Sequence, residues 1–301
     1  MKIAVTGGTG FIGSKLTSAL TELGHSVYIL TRNPDNKPEQ PSVTYVKWLS
    51  DDAKPELELE GIDAIVNLAG ESIGEGRWTK ERKERIKSSR IDATREVISI
   101  LQKLTKKPDV LVNASATGYY GNSSKVTFTE QSPPIERNFL ADVVIDWESE
   151  ASKAKELGIR TVYTRFGIVL SKEEGALNRM LLPYKLFAGG PLGSGTQWFS
   201  WVHIDDVIGL ILFSLTNDAV EGPLNVTSPN PMQMNEFGKT VGEVLGRPHW
   251  IPAPSFALKI ALGEMSTLVL DGQIVLPEKA EKLGYNHHYK ELKPALLDLL
   301  K

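Results

Sequence analysis

Three glycines, Gly7, Gly10 and Gly13, recur at three-residue spacing in Thr6-Gly-Gly-Thr-Gly-Phe-Ile-Gly. An apolar run, Ile3 to Val5, precedes them, and a helical apolar pattern follows from Ile12. Glycines in that context form a backbone cradle for a pyrophosphate. Gly7 permits the tight turn, Gly10 lets the backbone approach the anion, and Gly13 lets helix pack on strand. The helix N-terminus, entered at Phe11 and Ile12, attracts the negative charge. A dinucleotide with a free ribose 2′-hydroxyl is usually met by an acid about 20 residues further on. Here the next apolar run ends Ile29-Leu-Thr-Arg-Asn-Pro, so Thr31 and Arg32 stand there and no acid comes before Asp35. A guanidinium suits a 2′-phosphate through forked, charge-assisted hydrogen bonds. The predicted cofactor is therefore NADP, with NAD less favoured.

These residues need a scaffold that brings strand ends together. KIAVTG, SVYILT, VTYVKW, DAIVNLAG, DVLVNASA and RTVYTRFGIVL read as six strands. Helical patterns over residues 12–22, 80–103 and 140–157 separate several of them. Strands alternating with helices imply parallel pairing and an α/β, Rossmann-type doubly wound sheet. Residues 1–170 are expected to form the dinucleotide-binding domain. The pattern loosens in 171–200, which is rich in Gly, Pro and Ser. Residues 171–301 are expected to form mostly a smaller substrate-covering region, with some segments returning to the sheet.

At this point the chain resembles an extended short-chain dehydrogenase/reductase of the NAD-dependent epimerase/dehydratase superfamily. TGGTGFIG, the NLAG at 67–70, the SATGYYG at 115–121, and RFG followed by WVHIDDV carry the resemblance in order. GESIGEGRWTKERKERIKSSRIDATR and GGPLGSGTQWFSWVHIDD make it similar to the atypical, sugar-nucleotide-epimerase-like branch. The resemblance implies that Leu68, Ala69 and Gly70 line the adenosine and pyrophosphate side, and that Arg90 reaches the cofactor from the following helix. It further implies that Ala114 and Ser115 end strand five beside the nicotinamide and that Val169 lies near it.

The same resemblance calls for a proton-transferring Tyr, with a Lys four residues on, in the helix after strand five. Aligned on Trp147-Glu148, those positions hold Leu140 and Val144. The only YxxxK match, Tyr289 to Lys293, lies too late in the chain. Position alone then nominates Ser115, Thr117 and Tyr119 as catalytic candidates, through hydroxyls that would bond or protonate a reacting oxygen. Tyr120, Gln197, Trp201 and His203 are nominated as substrate contacts. His203 titrates near neutrality, and an amide and an indole within a glycine-rich loop suit a polar or planar ligand.

Composition narrows the classes. There are 34 basic and 37 acidic side chains in 301 residues, net −3, and acids interleave the basic run 77–90. That argues against nucleic acid and against a membrane surface as partners. Cysteine is absent and the five histidines lack ligand spacing, so no metal site is expected. Without disulfides the chain suits the cytoplasm. Two readings remain: an NADP-dependent oxidoreductase or epimerase-like enzyme acting on a small polar molecule, or an NADP-binding sensor or interaction protein without turnover.

Overall fold

The computed structural model describes residues 1–35 and 37–301. The first half runs β1 (Lys2–Thr6), α1 (Phe11–Glu22), β2 (Ser26–Thr31), β3 (Val43–Lys47), α2 (Pro55–Glu58), β4 (Ala64–Asn67), α3 (Lys80–Lys103) and β5 (Val110–Ala116). A 3₁₀ turn, Thr117–Tyr120, leads to β6 (Thr127–Phe128), α4 (Phe139–Ser152), β7 (Arg160–Phe166) and β8 (Ile168–Leu170). Then come α5 (Ala176–Lys185), β9 (Trp198–Phe199), β10 (Trp201–His203), α6 (Ile204–Thr216), β11 (Gly222–Val226) and β12 (Met232–Gln233). The chain ends with α7 (Met234–Leu245), α8 (Ser255–Leu262), α9 (Thr267–Leu270), β13 (Ile274–Val275), α10 (Glu278–Lys282) and α11 (Leu292–Leu300).

Seven strands form a parallel sheet in the order β11-β7-β5-β4-β1-β2-β3. Their runs are buried on both faces, as Ile3–Val5, Ala64–Val66 and Val110–Val112 show, because helices cover both sides. One core lies under α3, where Ala93, Val97, Ile98 and Leu101 meet Ile65, Leu111 and Trp48. The other joins α1, α6, α7 and α11 to the opposite face. Thr79 starts α3 by accepting a hydrogen bond from the Arg82 N–H.

Two sequence expectations change here. RTVYTRFGIVL is two strands: β7 stays in the sheet, while β8 leaves it and pairs with β10. The break falls at Gly167, where a Cβ would lie 2.5 Å from the Ser200 carbonyl oxygen. Residues 171–200 are also more regular than composition suggests, since α5 occupies ten of them with Pro183 inside. From the second half, β11 pairs with β7 in the main sheet.

Candidate functional site

The glycine loop sits at the C-terminal edge of β1. Gly7 has φ +66°, and a Cβ on it would meet the Leu68 carbonyl oxygen at 2.9 Å. On Gly13 a Cβ would lie 2.1 Å from the Gly7 carbonyl oxygen. Gly10 is the N-cap of α1 and supplies no side-chain cap, and the first turn carries no acid. The leading N–H groups, at Phe11, Ile12 and Gly13, thus stay open to an anion. The Phe11 ring reaches across to Gly175, so the start of the second half lies against this loop.

The strand register builds a polar row beside it. Thr6 aligns with Asn67, and Asn67 with Asn113. The Thr6 hydroxyl donates to the Asn67 Oδ1 (2.6 Å) and accepts from the Leu68 and Ala69 N–H groups (3.0 and 3.1 Å). The Asn67 amide donates to the Asn113 Oδ1 (2.6 Å) and to the Thr94 hydroxyl (2.9 Å), which also accepts from the Trp147 indole. This row fixes Leu68 and Ala69 and was missed from sequence. Its signal was there, an asparagine within each of two neighbouring apolar strands, in VNLAG and VNASA.

Two cations without a carboxylate partner among the described residues lie around this crevice. Arg90 is half-buried, folds over Gly70, donates to the Ile86 carbonyl (2.8 Å) and sits 5.3 Å from the Trp147 ring. Burial lowers its pKa to about 10, with Glu71 opposing and Arg82 adding. Among the described residues no carboxylate comes within 4.0 Å of Arg90 or of Arg32. Arg32 is exposed just past the end of β2, where Thr31 is half-buried. Other basic residues are committed: Arg77 to the Ile260 and Ala261 carbonyls, Arg82 to Glu71, and Arg179 to the Gly74 carbonyl. Ala114 is buried near the end of β5, and Val169 is half-buried on β8, paired with Val202.

At the end of β5 the candidate hydroxyls divide. Ser115, 2% exposed, donates to the Glu148 Oε1 at 2.5 Å. Glu148 in turn holds Arg165 through both oxygens at 2.7 Å. Arg165 donates to the Tyr120 hydroxyl (3.0 Å), and Tyr120 donates to the Asn225 Oδ1 (2.7 Å). Burial pushes the Tyr120 phenol up to about 12. Burial pulls Arg165 down, but the bonds to Glu148 more than offset it. Ser115 and Tyr120 are therefore internal partners of an ion pair, which corrects their nomination. Glu148, Arg165 and Asn225 were not singled out by sequence, although WE and RFG had served as alignment landmarks. Thr117, 8% exposed, and Tyr119, half-buried, keep hydroxyls with no hydrogen-bond partner among the described residues. The Arg165 guanidinium lies 3.4 Å from the Tyr119 ring centroid.

The model of the NAD dependent epimerase/dehydratase family matches residues 3–227, and a domain of unknown function (DUF1731) matches residues 253–299. The chain belongs to the NAD dependent epimerase/dehydratase family. It is 51% identical over 300 residues to the epimerase family protein YfhF of Bacillus subtilis (strain 168), covering 100% of this chain and 98% of that one. It is 43% identical over 297 residues to the epimerase family protein SA0724 of Staphylococcus aureus (strain N315), covering 99% and 98%. The crystal structure of the human epimerase family protein SDR39U1 (isoform 2) with NADPH superposes with a TM-score of 0.87 at 33% identity over 99% of both chains. UDP-glucuronic acid 4-epimerase from Bacillus cereus shares the fold, with a TM-score of 0.79 at 18% identity over 99% of this chain and 97% of that one.

Within this family member, Leu140 and Val144 approach the turn after β5. A Cβ on Gly118 would lie 3.5 Å from the Leu140 Cβ and 4.0 Å from a Val144 methyl. The expected Tyr and Lys positions thus present an apolar wall. Tyr289 stacks on His203 at 3.9 Å and Lys293 pairs with Glu243, so YxxxK is structural. Three nominated substrate contacts are corrected by burial. Trp201 is fully buried and donates to the Asn230 carbonyl. His203 is 1% exposed and caps α6, its Nδ1 accepting from the Asp205 N–H. Gln197, 8% exposed, spends its amide on the Leu192 and Val269 carbonyls, tying the 192–198 loop to α9. His203, Asp205 and Asp298 lie close together, but an Nδ1 that accepts from a backbone N–H leaves the proton on Nε2, so the imidazole is not a ligand.

Proposed function

We propose that this protein binds NADP(H) and acts as an oxidoreductase or epimerase-like enzyme on a small polar substrate in the cytoplasm. The observation that carries the cofactor reading is the uncompensated Arg32 guanidinium past the end of β2, on the same crevice as an uncapped α1. Arg32 would hold a 2′-phosphate, the N–H groups of Phe11, Ile12 and Gly13 the pyrophosphate, and Arg90 the neighbouring polar groups. The NADPH bound to human SDR39U1 supports this assignment. When bound, the cofactor supplies a hydride donor or acceptor.

Proton handling falls to the hydroxyls left free, Thr117 and Tyr119. Thr117 would orient a substrate oxygen. Tyr119, with the Arg165 charge on its ring, would donate or accept the proton. Wild type and Arg32→Ala should be titrated with NADPH and with NADH. The substitution is expected to weaken NADPH at least tenfold while NADH changes little; an unchanged NADPH preference overturns the reading. A metabolite screen following NADPH absorbance then tests turnover, with Thr117→Val and Tyr119→Phe expected to lower kcat without altering NADPH affinity.

A second reading, cofactor binding without turnover, is favoured by the apolar Leu140 and Val144 and by the sequestration of Ser115 and Tyr120. It predicts NADPH binding with no substrate that oxidises it.

A further inference from the structure

Two segments of the second half combine protruding apolar side chains with a lack of acids. Between Glu174 and Asp205, and again between Glu243 and Glu264, there is no acidic residue. The first segment exposes Leu182, Leu186 and Phe187 on and after α5. The second exposes Trp250, Ile251, Phe256 and Ile260. These side chains are 49–72% exposed, so they protrude. α8, at the heart of the second segment, has no buried residue at all and a single charge, Lys259.

The two segments form one surface. Trp250 donates from Nε1 to the Phe187 carbonyl (2.8 Å), and the Trp250 and Ile251 N–H groups donate to the Gly189 carbonyl (2.9 and 3.1 Å). The Ala253 N–H donates to the Pro191 carbonyl, and the Gly193 N–H returns to the Ala253 carbonyl. The Arg247 guanidinium covers the Phe187 ring at 4.3 Å. The indole's polar edge is therefore satisfied by backbone, leaving its apolar edge outward. Lys185, Arg247 and Lys259 supply three positive charges, and none has a carboxylate within 4.0 Å among the described residues.

We infer that this surface docks on an anionic lipid membrane. Protruding aromatic and aliphatic side chains suit the headgroup boundary, where tryptophan is favoured, and unpaired cations suit anionic headgroups. A contiguous apolar patch of this kind on a soluble chain marks an interaction site. Charge argues against a second copy of this chain: a twofold contact would bring the same cationic segments against themselves. Shape disfavours an inserted peptide, because the side chains of this surface project outward. The net charge of −3 concealed the patch by averaging over the chain. The inference is independent of the cofactor reading.

Flotation of the full-length protein with phosphatidylcholine vesicles, with and without phosphatidylglycerol, tests it. Binding is expected only with the anionic lipid and should weaken as salt rises. Phe256→Ser/Ile260→Ser and Lys185→Glu/Lys259→Glu should each reduce binding about tenfold or more. Unchanged thermal melting and NADPH affinity would show both variants folded. Absence of binding to the anionic vesicles overturns the proposal, as does binding that neither variant alters. So does a concentration-dependent dimer that Phe256→Ser/Ile260→Ser abolishes.

Discussion

Arg165 and Glu148 show why residues that do not touch a ligand still decide what the site contains. Both are buried, joined by two 2.7 Å bonds, and further tied to Ser115 and Tyr120. Removing one partner of such a pair strands the other charge in a low-dielectric interior, at a cost of about 3–5 kcal/mol. Arg165→Met and Glu148→Leu should each lower unfolding stability by about that amount. Arg165→Met/Glu148→Leu should lose less than either single variant, as measured by denaturant unfolding. A double variant as unstable as the sum of the singles would refute the pairing argument. At this scale the sequence was legible where geometry is carried by backbone, as at Gly7 and Gly13. It was not legible where function depends on which way a side chain turns. Ser115 and Thr117 are two apart, one at the end of β5 and one in the turn that follows. One hydroxyl is consumed by a glutamate 33 residues away, and the other is free.

At the scale of elements, the join between β1 and α1 leaves least room. A methyl group on Gly13 would collide with the Gly7 carbonyl oxygen, which is backbone and cannot swing aside. Gly13→Ala must push α1 off the strand. It should lower stability by about 1–3 kcal/mol and raise the NADPH dissociation constant more than tenfold. Gly24→Ala is the contrast, since Gly24 has φ +79° but nothing within 4 Å of a new Cβ. It should cost about 1–2 kcal/mol in backbone strain and leave NADPH affinity unchanged. Equal loss of affinity in both variants would show that the loop merely shares in global destabilisation. Element identities in the first half were readable because each strand and helix has one apolar period. α3 was bounded at Lys80 and Lys103 as observed. What escaped was the turn at Gly167, where one strand-like run changes sheets. Its cause is the Ser200 backbone, 33 residues later, and no local pattern records that approach.

Over the whole molecule, the histidines tie the second half to pH. His203 joins α6 to α11, stacked on Tyr289 with its Nε2 3.3 Å from Asp298. His287 is 3% exposed, and its Nε2 lies 3.0 Å from the Thr227 carbonyl at the end of β11, a position that requires the proton there. Burial lowers both from the ordinary value of 6.5, against the opposing pull of Asp205, Asp298 and Asp206 at His203 and of Asp206 at His287. His249, bonded to Tyr184 and Asn235, is also lowered by burial. A lowered folded pKa means the unfolded chain takes up protons first as pH falls. Stability from these groups is then complete above about pH 6.5 and is lost progressively below it, down to the folded pKa values. The melting temperature should hold steady from pH 8 to 7 and fall on acidification toward pH 5.5. The substitutions that isolate this effect follow from the bonding. His203→Asn keeps an acceptor at the α6 cap, and His287→Gln keeps a donor to Thr227, while neither new side chain titrates. The doubly substituted protein should show a shallower fall than wild type over that window. An identical slope would assign the acid sensitivity to carboxylates instead. The direction follows from burial of neutral imidazoles where the second half closes on the sheet.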